Sequence, residues 1–545
     1  MIHQQPTLIY RKTVIGLVLL ALGFALSPVT RPENFSQLDL AFRLGPDADF
    51  NTAVLHFTLL PRLVMALLCG AALGIAGVLI QQVLRNPLAA PTTLGVAAGA
   101  QLFLGLVMLF APALLVWREL WAMAGGVLAL GLAMLMARKR GFDPLTLTLC
   151  GLIVSLYLGA INTVIMLFHH EQLASLFIWG AGELSQNDWQ GVTSLLPHLC
   201  ITILVSLVFV RALQALDLGT EGARALGMSP SLFRGMALLL AVYLTTLTVS
   251  QVGVIGFVGL AAPALARMMG ARTLWQRLCI AAVTGALLCL IADGAAQQLS
   301  LAYSHLLFPT GAATALIGGP TLLWVLSKHR FMPAQPDITS PLVPELRNIR
   351  WTGVATLIVV VLLSLSVTSM FGPTWEGWRW DTPGAGSDIL AMRIPRLTTA
   401  LLAGGLLALA GVIVQRLTRN PMASPELLGI STGAALGMVL VVLTIGSAGR
   451  PTQMIAGALG GTLVLLLLLA LSRKGGFSPQ RLLLGGIALS ALLDSGIRMV
   501  LALGDNEAVT LLNWLAGSTW LSGEQDALVL TVVTPLMLMA CLAAA

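Results

Sequence analysis

The chain has 545 residues, 57% of them hydrophobic and 10% charged, with a mean hydropathy of +0.90 and a formal net charge of +7 at pH 7. Soluble domains carry about 25% charged residues, so an apolar surplus of this size excludes a single water-soluble core and makes lipid the solvent. The excess of positive charge does not read as a nucleic-acid footprint, because it is spread over loops between apolar runs.

Runs of roughly 17–25 apolar residues recur, each long enough to cross about 30 Å of hydrocarbon as a helix. The strand-like alternation of a membrane barrel is absent, so the predicted class is an all-α polytopic membrane protein. In chain order the runs predict about ten crossings in a first half, residues 1–330, near 13–30, 63–84, 94–111, 120–137, 145–168, 192–210, 235–253, 255–269, 278–296 and 311–327. The first run, Val14 to Val29, has the basic and small flanks of a signal peptide. Trp351 to Met370 holds the same place downstream and cannot be one, so both are expected to be membrane helices. Basic residues gather at alternate loops (Arg11, Lys12, Arg85, Arg138, Lys139, Arg140, Arg211, Arg224, Arg234, Arg267, Arg272, Arg277, Lys328, Arg330). The positive-inside rule places those loops, and the N-terminus, in the cytoplasm. A linker over 331–350 with four prolines follows. About six more crossings are predicted in a second half, 351–545, near 351–370, 397–418, 427–446, 453–472, 480–503 and 527–545.

The two halves are copies. Leu60-Pro61-Arg62-Leu63 returns as Ile394-Pro395-Arg396-Leu397, and Arg85-Asn86-Pro87 as Arg419-Asn420-Pro421, offset by 334 residues. Pro91/Pro425, Gly95/Gly429 and Gly99/Gly433 keep that offset. A repeat this long is a duplicated domain and not a solenoid unit of roughly 20–50 residues. An even number of crossings returns the chain to its starting side, which implies parallel repeats about an axis along the membrane normal. Because the second copy stops at Ala545, short of a full repeat, the chain is expected to be a truncated double-length protein.

Few residues offer chemistry. No Gly-x-x-x-x-Gly-Lys-Ser/Thr phosphate loop exists, so any ATP hydrolysis belongs to another polypeptide. The six cysteines lie singly in apolar segments, as packing thiols do, and no spacing suggests a metal site. His169-His170 are expected in a loop or facing a partner. Gly70-x-x-x-Gly74 and Gly457-x-x-x-Gly461 are expected to let helices approach closely. Asp494 and Arg498, four apart on an apolar helix, share one face. Their first-half counterparts are Gly159 and Thr163, uncharged. Charge within a membrane helix is costly unless paired or in water. The two neutralise each other, or they line an outward cavity and make a two-fold path asymmetric.

The segment Leu216 to Pro230 reads as a short surface helix with a stop at Gly227 and a proline after it. Its Glu221-x-Ala223-x-x-x-Gly227 pattern resembles the coupling loop of ABC importer permeases. Taken with the repeats, with Asn86-Pro87-Leu88-Ala89-Ala90-Pro91, Trp179-Gly180-Ala181-Gly182 and Gly256-Phe257-Val258-Gly259, and with their partial copies at Asn420-Pro421-Met422-Ala423-Ser424-Pro425 and Trp514-Leu515-Ala516-Gly517, the chain resembles the permease family of ABC importers for iron–siderophore complexes, haem and cobalamin. It looks most like the fused, double-length ferric hydroxamate (ferrichrome) permeases of Gram-negative inner membranes.

That resemblance implies a type II importer fold and an alternating-access permease with no catalytic residues and no cofactor of its own. ATP and Mg would sit on two separate ATP-binding subunits, engaged through Asp217, Gly219, Glu221, Ala223, Arg224 and Gly227. A periplasmic siderophore-binding protein would dock on Arg62, Arg393 and Arg396, with Leu59 standing where the first half lacks a partner arginine. Asn86-Pro87, Asp143-Pro144, Asn420-Pro421 and Ser478-Pro479 would form the cytoplasmic gate. Iron would travel chelated, without metal ligands in the chain. The sequence departs from the family at Ala264, at Gln297 and in lacking the second coupling loop. A haem or cobalamin permease is the alternative within this class. A secondary transporter would need coupling carboxylates in the membrane, for which only Asp293 and Asp494 are available.

Overall fold

Long apolar sequences in lipid satisfy their backbone polar groups internally as helices, and the computed structural model is built almost wholly of them. It describes residues 49–138 (except 88), 144–169, 179–216, 219–302, 308–328, 351–374, 377–380, 388–418, 423–446, 449–473, 479–502 and 522–544, with isolated positions between. A short helix, Phe50–Val54, and a π-helical turn, Leu55–Leu59, lead into α1, Leu60–Leu84. Next come α2 (Val96–Phe110), α3 (Arg118–Ala137), α4 (Pro144–Phe168), α5 (Gln190–Ala215), α6 (Gly219–Ala225), α7 (Pro230–Val252), α8 (Val258–Met268), α9 (Leu274–Ala302) and α10 (Thr310–Lys328). The second copy supplies α11 (Trp351–Met370), α12 (Asp388–Thr418), α13 (Ile430–Ile445), α14 (Arg450–Arg473), α15 (Pro479–Ala502) and α16 (Glu524–Ala544). Among the described residues, ten helices are long and apolar enough to cross a membrane. The predicted crossing at 13–30 lies outside the described residues.

Three expectations change. The crossing predicted at 255–269 is α8, only 11 residues. At 1.5 Å per residue that is about 17 Å, half the hydrocarbon thickness. The crossing predicted from 397 begins at Asp388, which brings Arg393, Pro395 and Arg396 inside α12. A two-stranded hairpin, β1 (Phe371–Thr374) with β2 (Gly377–Trp380), stands between helices where no strand was expected. Phe371 opposes Trp380 in its register, with ring centroids 4.9 Å apart, the aromatic cross-strand pairing that stabilises short hairpins.

Contacts group the chain into two compact units, one of residues 1–331 with 426–512, the other of 332–425 with 513–545. The sequence repeat and the packing therefore divide the chain at different places. The smaller unit holds α11, the hairpin, α12 and α16, with α12 packed on both α11 and α16. In the larger unit a continuous apolar core runs through α1 to α5 and α7 to α9, centred on fully buried residues such as Leu79 and Ile80.

Helices α1 and α9 pack backbone against backbone. A Cβ at Gly70 would lie 2.3 Å from the Gly285 carbonyl oxygen, and one at Gly74 would lie 2.3 Å from that of Ala281. One turn on, a Cβ at Gly77 would meet the Gly259 carbonyl oxygen of α8 at 2.0 Å. Backbone against backbone leaves no flexible side chain to yield. A Gly77→Ala variant is expected to lose about 1–3 kcal/mol of stability through overpacking, read as a lowered unfolding midpoint in detergent. An unchanged midpoint would mean that α1 and α8 are not held this closely.

The duplication is visible in backbone detail. Gly95 and Gly429 both take the left-handed conformation, φ 74° and 75°, at the start of α2 and α13. Gly99 faces Gly125 as Gly433 faces Gly460, with a built Cβ 2.3 and 2.8 Å from the opposing carbonyl oxygen. Gly151 abuts Leu94 as Gly486 abuts Leu428. On α14 the closest approach falls at Gly460; of the Gly457-x-x-x-Gly461 pair, Gly461 packs tightly, a built Cβ lying 3.3 Å from the Ile430 carbonyl oxygen, while Gly457 makes only ordinary contacts.

Candidate functional site

A cavity of about 340 Å³ opens within the larger unit between first-copy and second-copy elements. One wall comes from Thr92, the Gly180-Ala181 turn, Phe257 and Gly311, the other from Glu426, Ser490, Asp494 and Arg498. The first wall is a backbone strap. The Gly311 amide donates to the Gly182 carbonyl at 2.9 Å, and the Glu183 amide to that of Val252 at 2.8 Å. Phe257, at φ 68° in a region a side chain rarely occupies, turns the chain into α8. Such outliers persist where the surroundings over-determine them, often at functional sites.

Asp494 and Arg498 do both things open to them. Arg498 Nε donates to Asp494 Oδ2 at 2.7 Å, and its Nη1 reaches the Gly180 carbonyl at 3.3 Å. Their side chains nonetheless remain 42% and 47% exposed, facing the cavity. The pair is thus neutralised internally and still presented to whatever enters. Glu426, which sequence reasoning passed over as a single acid in a loop, is an exposed carboxylate on the same wall.

Arg62 is committed elsewhere than expected. Its Nε and Nη2 grip Asp293 at 2.8–3.1 Å, and Nη1 donates to Ser185 Oγ at 3.3 Å. Asp293, fully buried, also accepts from Thr310 Oγ1 and Gln297 Nε2, each at 2.7 Å. A guanidinium 17% exposed and already matched by a carboxylate offers little charge to a docking protein, so the pairing speaks for a structural role. It ties α1, α9 and α10 together at one end of the bundle. Gln297, noted as a departure from the family pattern, takes part in this clamp. Arg393 and Arg396 are half-buried on α12, Arg393 Nη1 donating to the Ser369 carbonyl at 3.1 Å.

At the other end lie the coupling segment and the first gate loop. Helix α6 ends in a Schellman cap: the Met228 amide donates to the Ala223 carbonyl at 3.2 Å and the Gly227 amide to that of Arg224 at 2.8 Å, with Gly227 at φ 75°. Ala223 is buried and Arg224 exposed. Arg85 (φ 46°) closes α1 and donates through Nη2 to the Leu216 carbonyl, just before the coupling segment. Gln82 Nε2 donates to the Leu213 carbonyl at 3.2 Å. Arg267 Nη1 reaches Gln81 Oε1 at 2.6 Å, and Arg277 Nη1 reaches Gln82 Oε1 at 3.4 Å. The Asn86-Pro87 loop is thereby bonded, through the end of α1, to the segment entering α6. Pro144 and Pro479 begin α4 and α15. Asp143, Asp217, Asn420, Pro421 and Ser478 lie outside the described residues, as does His170. Three cysteines (Cys69, Cys150, Cys289) are buried, Cys279 and Cys541 are intermediate, and Cys200 is exposed.

A further polar cluster escaped the sequence reading because its members are far apart in the chain. Glu119 Oε1 accepts from Ser194 Oγ at 2.6 Å and from Gln251 Nε2, while Arg118 Nη2 donates to Gln251 Oε1 at 2.7 Å. It joins α3, α5 and α7.

Residues 14–328 and 356–545 each match the FecCD transport family. The chain belongs to the FecCD transport family. Two matches in one chain bear out the duplicated domain. The iron(3+)-hydroxamate import system permease protein FhuB of Salmonella typhimurium is 43% identical over 87% of this chain and 69% of its own length. That of Escherichia coli K12 is 42% identical over 90% and 76%. The hemin transport system permease HmuU of Yersinia pestis is 34% identical over 60% of this chain and 97% of its own length. The family makes this chain a membrane transport permease and not an enzyme.

Proposed function

We propose that the chain is the permease of a bacterial ABC importer that passes intact ferric hydroxamates across the inner membrane, with its N-terminus in the cytoplasm. The observation that carries this reading is the 42–43% identity to two hydroxamate permeases over most of both chains. The Arg62 clamp then lies on the periplasmic side, and the ends of α1 and α5 with α6 on the cytoplasmic side. ATP and Mg are held by two partner subunits, one of them seated on the coupling segment at α6, and a periplasmic binding protein delivers the chelate, with Arg393 and Arg396 as its docking charges.

The bonds from Leu213 and Leu216 to Gln82 and Arg85 supply the transmission. A push on α6 displaces the end of α5, and the end of α1 must follow it. The loop at Asn86-Pro87, a non-helical break that can hinge without losing helical hydrogen bonds, moves with it. The cavity sits beyond this loop, between the two copies.

Uptake of radio-iron ferrichrome by cells expressing the chain with its ATPase and binding protein tests the substrate class. Excess unlabelled ferric hydroxamate is expected to suppress uptake at least tenfold, while haem and cobalamin leave it unchanged. Suppression by haem instead would move the assignment to the haem branch of the family.

A further inference from the structure

The charges at the cavity come from one copy of the repeat. Glu426, Asp494 and Arg498 line it, and the residues at the equivalent first-copy positions are Thr92, Gly159 and Thr163. Asp494 and Arg498 cancel at 2.7 Å. The exposed carboxylate of Glu426 makes no hydrogen bond or ion pair among the described residues. Among the described residues that line it, a cancelled pair and one unmatched carboxylate leave the cavity with a net negative charge. Thr92 stands at the first-copy position of Glu426 and also lines the cavity, and among the described residues of the facing wall none is charged.

We propose that Glu426, with the Asp494–Arg498 pair, filters ferric chelates by charge, admitting electroneutral or cationic tris-hydroxamates and disfavouring anionic chelates. The proposal rests on the reading of the chain as a ferric hydroxamate permease. The chemistry fits that cargo. Three hydroxamates each give up one proton and together cancel the charge of Fe(III), so the complex is neutral and rich in carbonyl and amide groups. The Arg498 guanidinium and the Asp494 carboxylate offer such a surface one donor and one acceptor side by side. A tris-catecholate or a citrate complex keeps an excess of negative charge and would meet Glu426 unscreened. At an effective dielectric of about 20, a unit charge within about 7 Å of that carboxylate changes occupancy by tenfold or more.

The test uses one ferric tris-hydroxamate scaffold in three forms, bearing no further charge, one ammonium or one carboxylate. Uptake of each is measured in proteoliposomes holding the permease, its ATPase and its binding protein. Wild type is expected to favour the ammonium form over the carboxylate form by about tenfold. Glu426→Gln should shrink that ratio at least threefold, and Arg498→Gln should enlarge it. A general loss of folding lowers all three rates together and leaves the ratio alone, and the binding protein is common to every arm. Ratios within twofold of wild type in both variants would overturn the charge filter. Failure of wild type to carry even the neutral form would instead sink the hydroxamate reading, and the filter with it.

Discussion

An Asp293→Ala variant is expected to lose about 3–5 kcal/mol of stability, because it strands the Arg62 guanidinium without its counter-charge. Asp293 is a fully satisfied acceptor. It takes two bonds from Arg62 Nε, one from Nη2, and one each from Thr310 and Gln297. Removing it leaves three side chains with donors aimed at an empty site in a region water reaches poorly. An Asp293→Leu, Arg62→Met double variant removes both charges and should recover most of the loss, since a buried ion pair replaced by apolar groups of similar volume is often close to neutral. Chemical unfolding in detergent reads both. A single variant as stable as wild type would show that the clamp does not hold the ends of α1, α9 and α10 together. A docking role for Arg62 makes a different forecast, that its replacement weakens association with the binding protein while leaving stability unchanged.

Uptake by a Glu221→Ala, Arg224→Ala variant should fall at least tenfold, to the level of a strain without the ATPase, while the purified chain unfolds at the wild-type midpoint. The basis is placement. Arg224 is exposed on α6, and the buried Ala223 and the Gly227 cap hold that helix in place. Cutting the same transmission further inside, by Arg85→Ala, removes the bond to the Leu216 carbonyl. ATP hydrolysis should persist there while uptake declines, which separates uncoupling from failed assembly. Full uptake in the Glu221, Arg224 variant would take α6 out of the mechanism.

What was legible in the sequence followed from local or periodic signals. Apolar runs located the helices because length and hydropathy decide membrane insertion. The 334-residue offset forecast a structural repeat, and Gly95 and Gly429 hold the same left-handed turn. The i, i+4 spacing of Asp494 and Arg498 placed them on one face, and they bond across it. Long-range partnerships were not legible. Arg62 and Asp293 are 231 residues apart, and Arg62 looked like a free charge at a helix end. Glu426 carried no signal, since a single acid after a proline in a loop is ordinary until the opposite wall is known. The hairpin at Phe371 was hidden by its shortness, and α8 by an apolar stretch that gave no sign of its length.

The most direct test of the central claim is the energy source of transport. Uptake of labelled ferrichrome is measured with the wild-type partner ATPase and with one that binds but cannot hydrolyse ATP, in the presence and absence of a proton gradient. Coupling through α6 and Arg85 to the Asn86-Pro87 loop predicts that uptake disappears with the inactive ATPase and persists when the gradient is collapsed. Uptake that survives the loss of hydrolysis and vanishes with the gradient would contradict it, and would make the intramembrane carboxylates Asp293 and Asp494 the groups to examine.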